Sequence, residues 1–123
     1  MQVTLLPEIV TRNDGAGGEI TLGPSQGQPL VLTLGITRIT EQHSLDVSIW
    51  GSPDRTHWRQ LTTFPQKYYC GTYLSLLDLT QHRDIRHVRA QWRMSPWGDR
   101  EACAQSGFYI LAETAHVQRA GAA

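Results

Sequence analysis

Residues 45–58 read LDVSIWGSPDRTHW, and they indicate most clearly which kind of structure this chain forms. Apolar side chains stand at positions 45, 47 and 49, with Asp46, Ser48 and Trp50 between them. Alternation with a period of two is typical of a strand that buries one face. The residues at 51–54 are all turn formers, so the strand is expected to end there in a tight turn. The stretch therefore predicts a half-buried strand followed by a hairpin.

The same alternation recurs along the chain, at positions 30–36, 88–92 and 108–112. Clusters of Gly, Pro, Asn and Asp separate these segments, at 13–18, 23–29, 51–54 and 95–99. No stretch of about a dozen residues holds a helical period, although a single turn is expected near Asp78. Such spacing is typical of an all-β sandwich. The predicted strands are 3–6, 19–22, 30–40, 45–51, 58–64, 68–79, 85–94 and 103–114.

These strands predict an all-β fold: a single β-sandwich of jelly-roll type with about eight antiparallel strands and little helix. The chain of 123 residues has the usual size of one domain. The sandwich is expected to span residues 1–115. Residues 116–123 are small or polar and lack a period, which predicts a flexible C-terminal tail.

The charge balance argues against partners that are recruited by a long-range field. Eleven basic and eleven acidic side chains give a formal net charge of zero, so neither nucleic acid nor an anionic membrane is an expected partner. No apolar run reaches the roughly 20 residues needed to span a bilayer, and no basic and apolar leader follows Met1. We expect the protein in the cytoplasm, or in a particle assembled there.

The chemistry-bearing residues do not form a recognisable catalytic or metal-binding pattern. Cys70 and Cys103 are the only cysteines; they are either two buried thiols or one bridge, and a zinc site would need more ligands at short spacing. The five histidines lie outside any hydrolase, metalloprotease or nucleotide-binding motif. We therefore expect no cofactor and no enzymatic activity.

Two motifs carry a resemblance to a known family. Ser52, Asp54 and Trp58 stand at the spacing S-x-D-x-x-x-W, with Arg55 where the motif has glycine, and residues 85–89 read IRHVR. Both are similar to the discoidin (coagulation factor C-domain-like) jelly rolls. On physical grounds Asp54 can cap its own backbone in an Asx-type turn, and Trp58 is expected to fold back over that turn.

The discoidin resemblance implies that a glycan, a lipid headgroup or a protein is held by loops at one end of the sandwich. It also implies that the arginines of the strand that carries the second motif lie on its outer face, which makes Arg89 and Arg93 candidate contacts. Trp97, within the turn-forming residues 95–99, and Trp50, beside the first turn, are the candidate aromatic contacts. The alternative for Trp97 is a lid over the end of the core.

Tyrosines mark a further candidate surface in residues 64–73, which read FPQKYYCGTY. Tyr68 and Tyr73 could form a strand edge that pairs with another chain, blunted by Pro65 and Lys67. The alternative is that these rings pack within the sheet, since aromatic residues are enriched in strands generally.

The expected function is that of a non-catalytic binding or assembly module. It would contact a glycan or a protein through its end loops or an exposed sheet face, and it would self-associate into a homo-oligomer. The alternative is a structural subunit of a virion-like or other repeating assembly. A small hydrolase without a recognisable motif is the third hypothesis.

Overall fold

The computed structural model describes residues 2–39, 43–67, 69–96 and 105–115. Within these ranges, two single turns of 3₁₀-helix, Gly23–Ser25 and Leu79–Gln81, interrupt an otherwise all-β structure. No helix among these residues is long and apolar enough to cross a membrane. The strands are β1 (Gln2–Thr11), β2 (Gly15–Ala16), β3 (Ile20–Thr21), β4 (Pro29–Ile39), β5 (His43–Ser52), β6 (Arg59–Thr63), β7 (Gly71–Asp78), β8 (His87–Pro96) and β9 (Ser106–Thr114).

The strands form two antiparallel sheets. Sheet A has the order β1-β9-β4-β7, and sheet B has the order β2-β8-β5-β6. β3 also pairs with β8, so β2 and β3 together act as one interrupted strand. The chain crosses repeatedly between the two sheets, and the first strand, β1, pairs with the last, β9, as in a jelly roll. The predicted all-β sandwich is confirmed.

The alternating apolar residues form the core between the two sheets, as predicted. Each fully buried aliphatic side chain stabilises the fold by about 1.5–3 kcal/mol relative to its exposed state. The largest fully buried side chains are Phe64, Phe108, Leu5, Leu32, Leu34, Leu45, Ile49, Leu79, Ile85, Ile110, Val47 and Val88.

Trp92 covers one end of the core. Its ring meets Phe108 edge-on, with the ring centroids 5.3 Å apart, and its Nε1 donates a hydrogen bond of 2.9 Å to the carbonyl oxygen of Asn13. Gly15 passes so close that a Cβ there would lie 2.8 Å from the ring. Trp92 therefore ties the first turn cluster to β8, and this contact explains why a short strand, β2, forms inside a segment predicted to be only a turn.

Local predictions near the ends of the elements have mixed outcomes. The expected single turn near Asp78 is confirmed, because the Asp78 carboxylate accepts a hydrogen bond of 3.1 Å from the N–H of Thr80 at the start of a 3₁₀ turn. The prediction of a buried thiol is wrong for Cys70, which is exposed and free. Cys103 and the predicted tail, 116–123, lie outside the described residues.

Candidate functional site

The turn after β5 is held by Ser52 and Asp54. The buried Ser52 hydroxyl donates to Asp54 Oδ1 at 3.0 Å and accepts from the N–H of Arg55 at 2.8 Å. The same Oδ1 accepts from the N–H groups of Thr56 and His57, at 2.8 and 2.9 Å. Asp54 Oδ2 lies 2.7 Å from His57 Nδ1. Hydrogen bonds hold the pKa of Asp54 far below its usual range. The largest effect comes from the N–H of His57, the next from the His57 ring and the third from the N–H of Thr56.

Arg55 and Trp58 complete this turn. Arg55 has a φ of 69°, the left-handed region that favours glycine, and it stands where the discoidin motif has glycine. Trp58 is half-buried, and its Nε1 donates to the carbonyl oxygen of Arg55 at 3.1 Å. The Arg89 guanidinium lies 4.4 Å from the centre of the Trp58 ring, within the range of a cation–π contact. The predicted fold-back of Trp58 over the turn is confirmed.

The outer face of sheet B carries rows of polar side chains beside Trp50. The register places Trp50 of β5 opposite Arg89 on one side and Gln60 on the other. The indole Nε1 of Trp50 donates to Ser48 Oγ at 2.9 Å, which directs the ring along its own strand. The arginines of β8 therefore lie on the outer face, as the resemblance implies.

A shallow depression of about 370 Å³ lies on this face. Asp46 is opposite Arg93 in the register, and the amide of Gln66 donates to Asp46 Oδ2 at 3.2 Å. The depression thus combines an aromatic ring with amides, hydroxyls and both signs of charge, a mixture that suits a polyhydroxylated ligand or a polar protein surface. Its lining residues are Asp46, Val47, Ser48, Trp50, Gln60, Thr63, Gln91, Trp92 and Arg93.

A second surface, on the outer face of sheet A, is apolar. Leu74 and Leu76 of β7 are 70% and 62% exposed. Val31 lies opposite Leu76, and Leu111 of β9 lies in the same row as Leu74, across Thr33. We call Leu74, Leu76, Val31 and Leu111 the leucine strip; large exposed apolar side chains that cluster in this way mark contact surfaces.

Tyr73 belongs to the packing of sheet A. It is half-buried against the core, and its hydroxyl donates to the carbonyl oxygen of Tyr69 at 2.7 Å. The Lys67 ammonium lies 4.1 Å from the centre of the Tyr73 ring. This geometry favours the packing alternative for Tyr73, while its role in partner binding stays a prediction.

The structure brings together three of the six predicted contact residues. Trp50, Arg89 and Arg93 share the outer face of sheet B, and Tyr73 lies on the other sheet. Trp97 and Tyr68 lie outside the described residues. The binding role of all six stays a prediction.

Sequence reasoning missed Leu74 and Leu76. Residues 73–77 read YLSLL, so apolar side chains occupy both phases of the alternation. A strand with that pattern either buries both faces or exposes an apolar one. The apolar pattern was therefore visible in the sequence. Only the position of β7 at the edge of a two-layer sandwich shows that one of its apolar faces is exposed.

Similarity to solved structures was found at the level of the fold. The chain is similar to the SPBc2 prophage-derived protein YomS, with a TM-score of 0.54, 10% identity and coverage of 92% of each chain. It is also similar to part of a structure of infectious bursal disease virus, Gx strain, with a TM-score of 0.53 and 11% identity. That match covers 91% of this chain and 32% of the viral one.

No protein-family model and no curated protein matches the chain. The resemblance to discoidin domains is therefore not confirmed, and it rests on the turn and the arginine strand alone. What the solved structures share with this chain is the jelly-roll-type sandwich.

Proposed function

We propose that this protein is a non-catalytic structural subunit of a virion-like or other repeating assembly, formed in the cytoplasm from copies of itself. The observation that carries the proposal is the exposure of Leu74 and Leu76 beside each other on one sheet face. Exposed leucines are common singly, but adjacent ones that continue into a strip are typical of surfaces that a partner covers.

The fold neighbours support the same class of function. One comes from a prophage and the other from a virus, and both share the sandwich with this chain. A fold can host many functions, so this support is an analogy that adds to the apolar surface.

Sedimentation velocity of the wild type beside a Leu74→Lys/Leu76→Lys variant tests this proposal. Burial of a charged ammonium in an apolar contact is unfavourable, so we expect the wild type to assemble and the double variant to sediment as a monomer. Val10→Lys is the control, since Val10 is a comparably exposed apolar residue on β1. It should assemble like the wild type. At concentrations too low for assembly, all three proteins should melt at similar temperatures, because the changed side chains are exposed.

A wild type that stays monomeric at every concentration would contradict the proposal. Assembly of the double variant at wild-type strength would show that the leucine strip is not the contact.

Ligand binding on the outer face of sheet B is the second candidate function. Trp50 in the shallow depression, surrounded by amide, hydroxyl and charged groups, favours it. An aromatic ring offers a flat apolar surface to one face of a sugar, and the polar groups around it can bind hydroxyls. A glycan is therefore the ligand that we expect there.

An array of immobilised oligosaccharides tests the second candidate. The wild type should bind at least one of them, Trp50→Ala should lose that binding, and Arg86→Ala, an exposed change outside the depression, should retain it. Absence of wild-type binding across the array would leave the depression without this role.

A further inference from the structure

The two sheets have four edges, and three of them are irregular or short. β1 shifts its register against β9 twice and carries Pro7 and Glu8 there. β6 has five residues, begins at Arg59 and has one register shift against β5. β2 and β3 have two residues each. Proline, charge, irregularity and short length are the features that prevent an edge from pairing with another chain.

The edge of β7 has none of these features before its last residue, Asp78. All eight of its residues pair with β4 in sequence, from Gly71 to Asp78, without a register shift. Positions 71–77 contain no proline and no charged residue. Among the described residues, no strand pairs with its other side. A long, regular and uncharged edge presents unpaired N–H and C=O groups that can receive a further strand.

The exposed leucines lie on this same edge strand. Leu74 and Leu76 are two residues apart, so they project from the same face, next to Thr33 and Val31 of β4. A strand added at β7 would place its own side chains directly beside these leucines, because opposite residues in a sheet are close neighbours. One added strand could therefore pair with the edge of β7 and cover its exposed leucines at the same time.

We propose that β7 pairs antiparallel with β7 of a second copy of this chain, with Ser75 on the two-fold axis and Leu74 opposite the partner subunit's Leu76. This contact rests on the proposed function, since it is one of the contacts that the assembly would use. It joins two four-stranded sheets into one continuous sheet of eight strands.

The position of the leucines selects this register. With Ser75 opposite itself, each leucine of one copy faces a leucine of the other, and all four form one apolar cluster. A shift by two residues in one direction keeps only the pair of Leu74 with its own counterpart and puts Leu76 opposite Thr72. A shift by two residues in the other direction keeps only the pair of Leu76 with its counterpart and puts Leu74 opposite Asp78. Cross-strand apolar pairs are more favourable than either combination, by up to about 1 kcal/mol per pair.

The charges near the edge select the antiparallel direction. Lys67 lies over Tyr73 near the start of β7, and Asp78 is at its end. Antiparallel pairing puts the Asp78 end of each strand beside the Lys67 end of the other, so that like charges lie at opposite ends of the contact. Parallel pairing would bring like charges together, which is unfavourable.

Disulfide trapping tests the register. In a Cys70→Ser/Cys103→Ser background, most of the Ser75→Cys protein should form a disulfide-linked dimer under mild oxidation. Directly opposite residues have Cβ atoms about 4.5–5.5 Å apart, close to the separation that a disulfide needs. Thr33→Cys, on the inner strand β4 of the same sheet, is the matched control and should stay monomeric on a non-reducing gel.

A second pair of variants covers the outer face, where a folding defect is not expected. Leu74→Cys and Leu76→Cys proteins should form a mixed disulfide dimer when combined, and each should form less dimer alone, because position 74 faces position 76.

Assembly of the wild type without a Ser75→Cys disulfide and without the mixed dimer would overturn this contact and leave the proposed assembly standing. A wild type that is monomeric throughout would overturn both.

Discussion

At the scale of single residues, the turn after β5 shows what sequence can and cannot predict. Ser52 and Asp54 are turn formers at a recognisable spacing, so their capping of the backbone was predictable, and their hydrogen bonds confirm it. The left-handed conformation of Arg55 could not be predicted from the sequence, because arginine gives no local signal for a positive φ. The structure shows this conformation, at the position where the discoidin motif has glycine.

Replacement of Arg55 by glycine should stabilise the protein. The left-handed region costs a residue with a Cβ about 1–2 kcal/mol, and the greater backbone freedom of glycine in the unfolded chain offsets part of that gain. We expect Arg55→Gly to raise the free energy of unfolding by about 0.5–1 kcal/mol. Urea denaturation measures it, with Arg55→Ala as the control that should show no such gain. A loss of stability in Arg55→Gly would mean that the arginine side chain itself supports the turn.

Asp54 should make the stability of the protein depend on pH. Its pKa is lowered on folding, so its charged form contributes stability above the ordinary value of 3.8, and this contribution is lost as pH falls through the depressed pKa. Asp54→Asn keeps an acceptor oxygen but removes the charge. The wild type should therefore be more stable than Asp54→Asn at neutral pH, with a gap that narrows below pH 3.8. Thermal melts across that range check this, and a constant gap would contradict it.

At the scale of elements, strands and their inward faces were predictable, and their pairing was not. Period two identifies which residues of a strand share a face, and the buried residues of β4, β5 and β9 follow it. Pairing depends on contacts between segments far apart in the chain, such as Gly15 beside Trp92. A short stretch of sequence does not show which distant stretch it will pair with. The exposed face of β7 follows from its edge position, so it could be recognised only after the sheet order was known.

A buried glycine in β5 provides a test of the packing of the core at the end of sheet B. A Cβ on Gly51 would lie 2.6 Å from Leu61 and 2.7 Å from the buried Ile85. We expect Gly51→Ala to lower the free energy of unfolding by about 1–3 kcal/mol, as overpacking of a core does. Gly18→Ala is the matched control, since no atom lies within 4 Å of the added Cβ, and it should change stability little. If Gly51→Ala and Gly18→Ala change the free energy of unfolding equally, the close packing around Gly51 is refuted.

At the scale of the whole molecule, the sequence predicts a jelly-roll-type sandwich, and the fold places two different surfaces on its two sheets. Sheet B presents a polar depression with an aromatic ring, and sheet A presents the leucine strip beside an open edge. The expectation from the sequence, a binding or assembly module, is compatible with a role for either surface. The apolar surface favours assembly, because an exposed strip at a regular edge is unfavourable in water unless another chain covers it.

The mass of the unmodified chain in solution tests this account most directly. It should be measured by light scattering behind a sizing column, at rising concentration and with reductant, so that the exposed Cys70 does not create dimers. Assembly through β7 predicts discrete species at multiples of the 13.8 kDa chain, with the dimer as the smallest unit. A single species of 13.8 kDa at every concentration would contradict it.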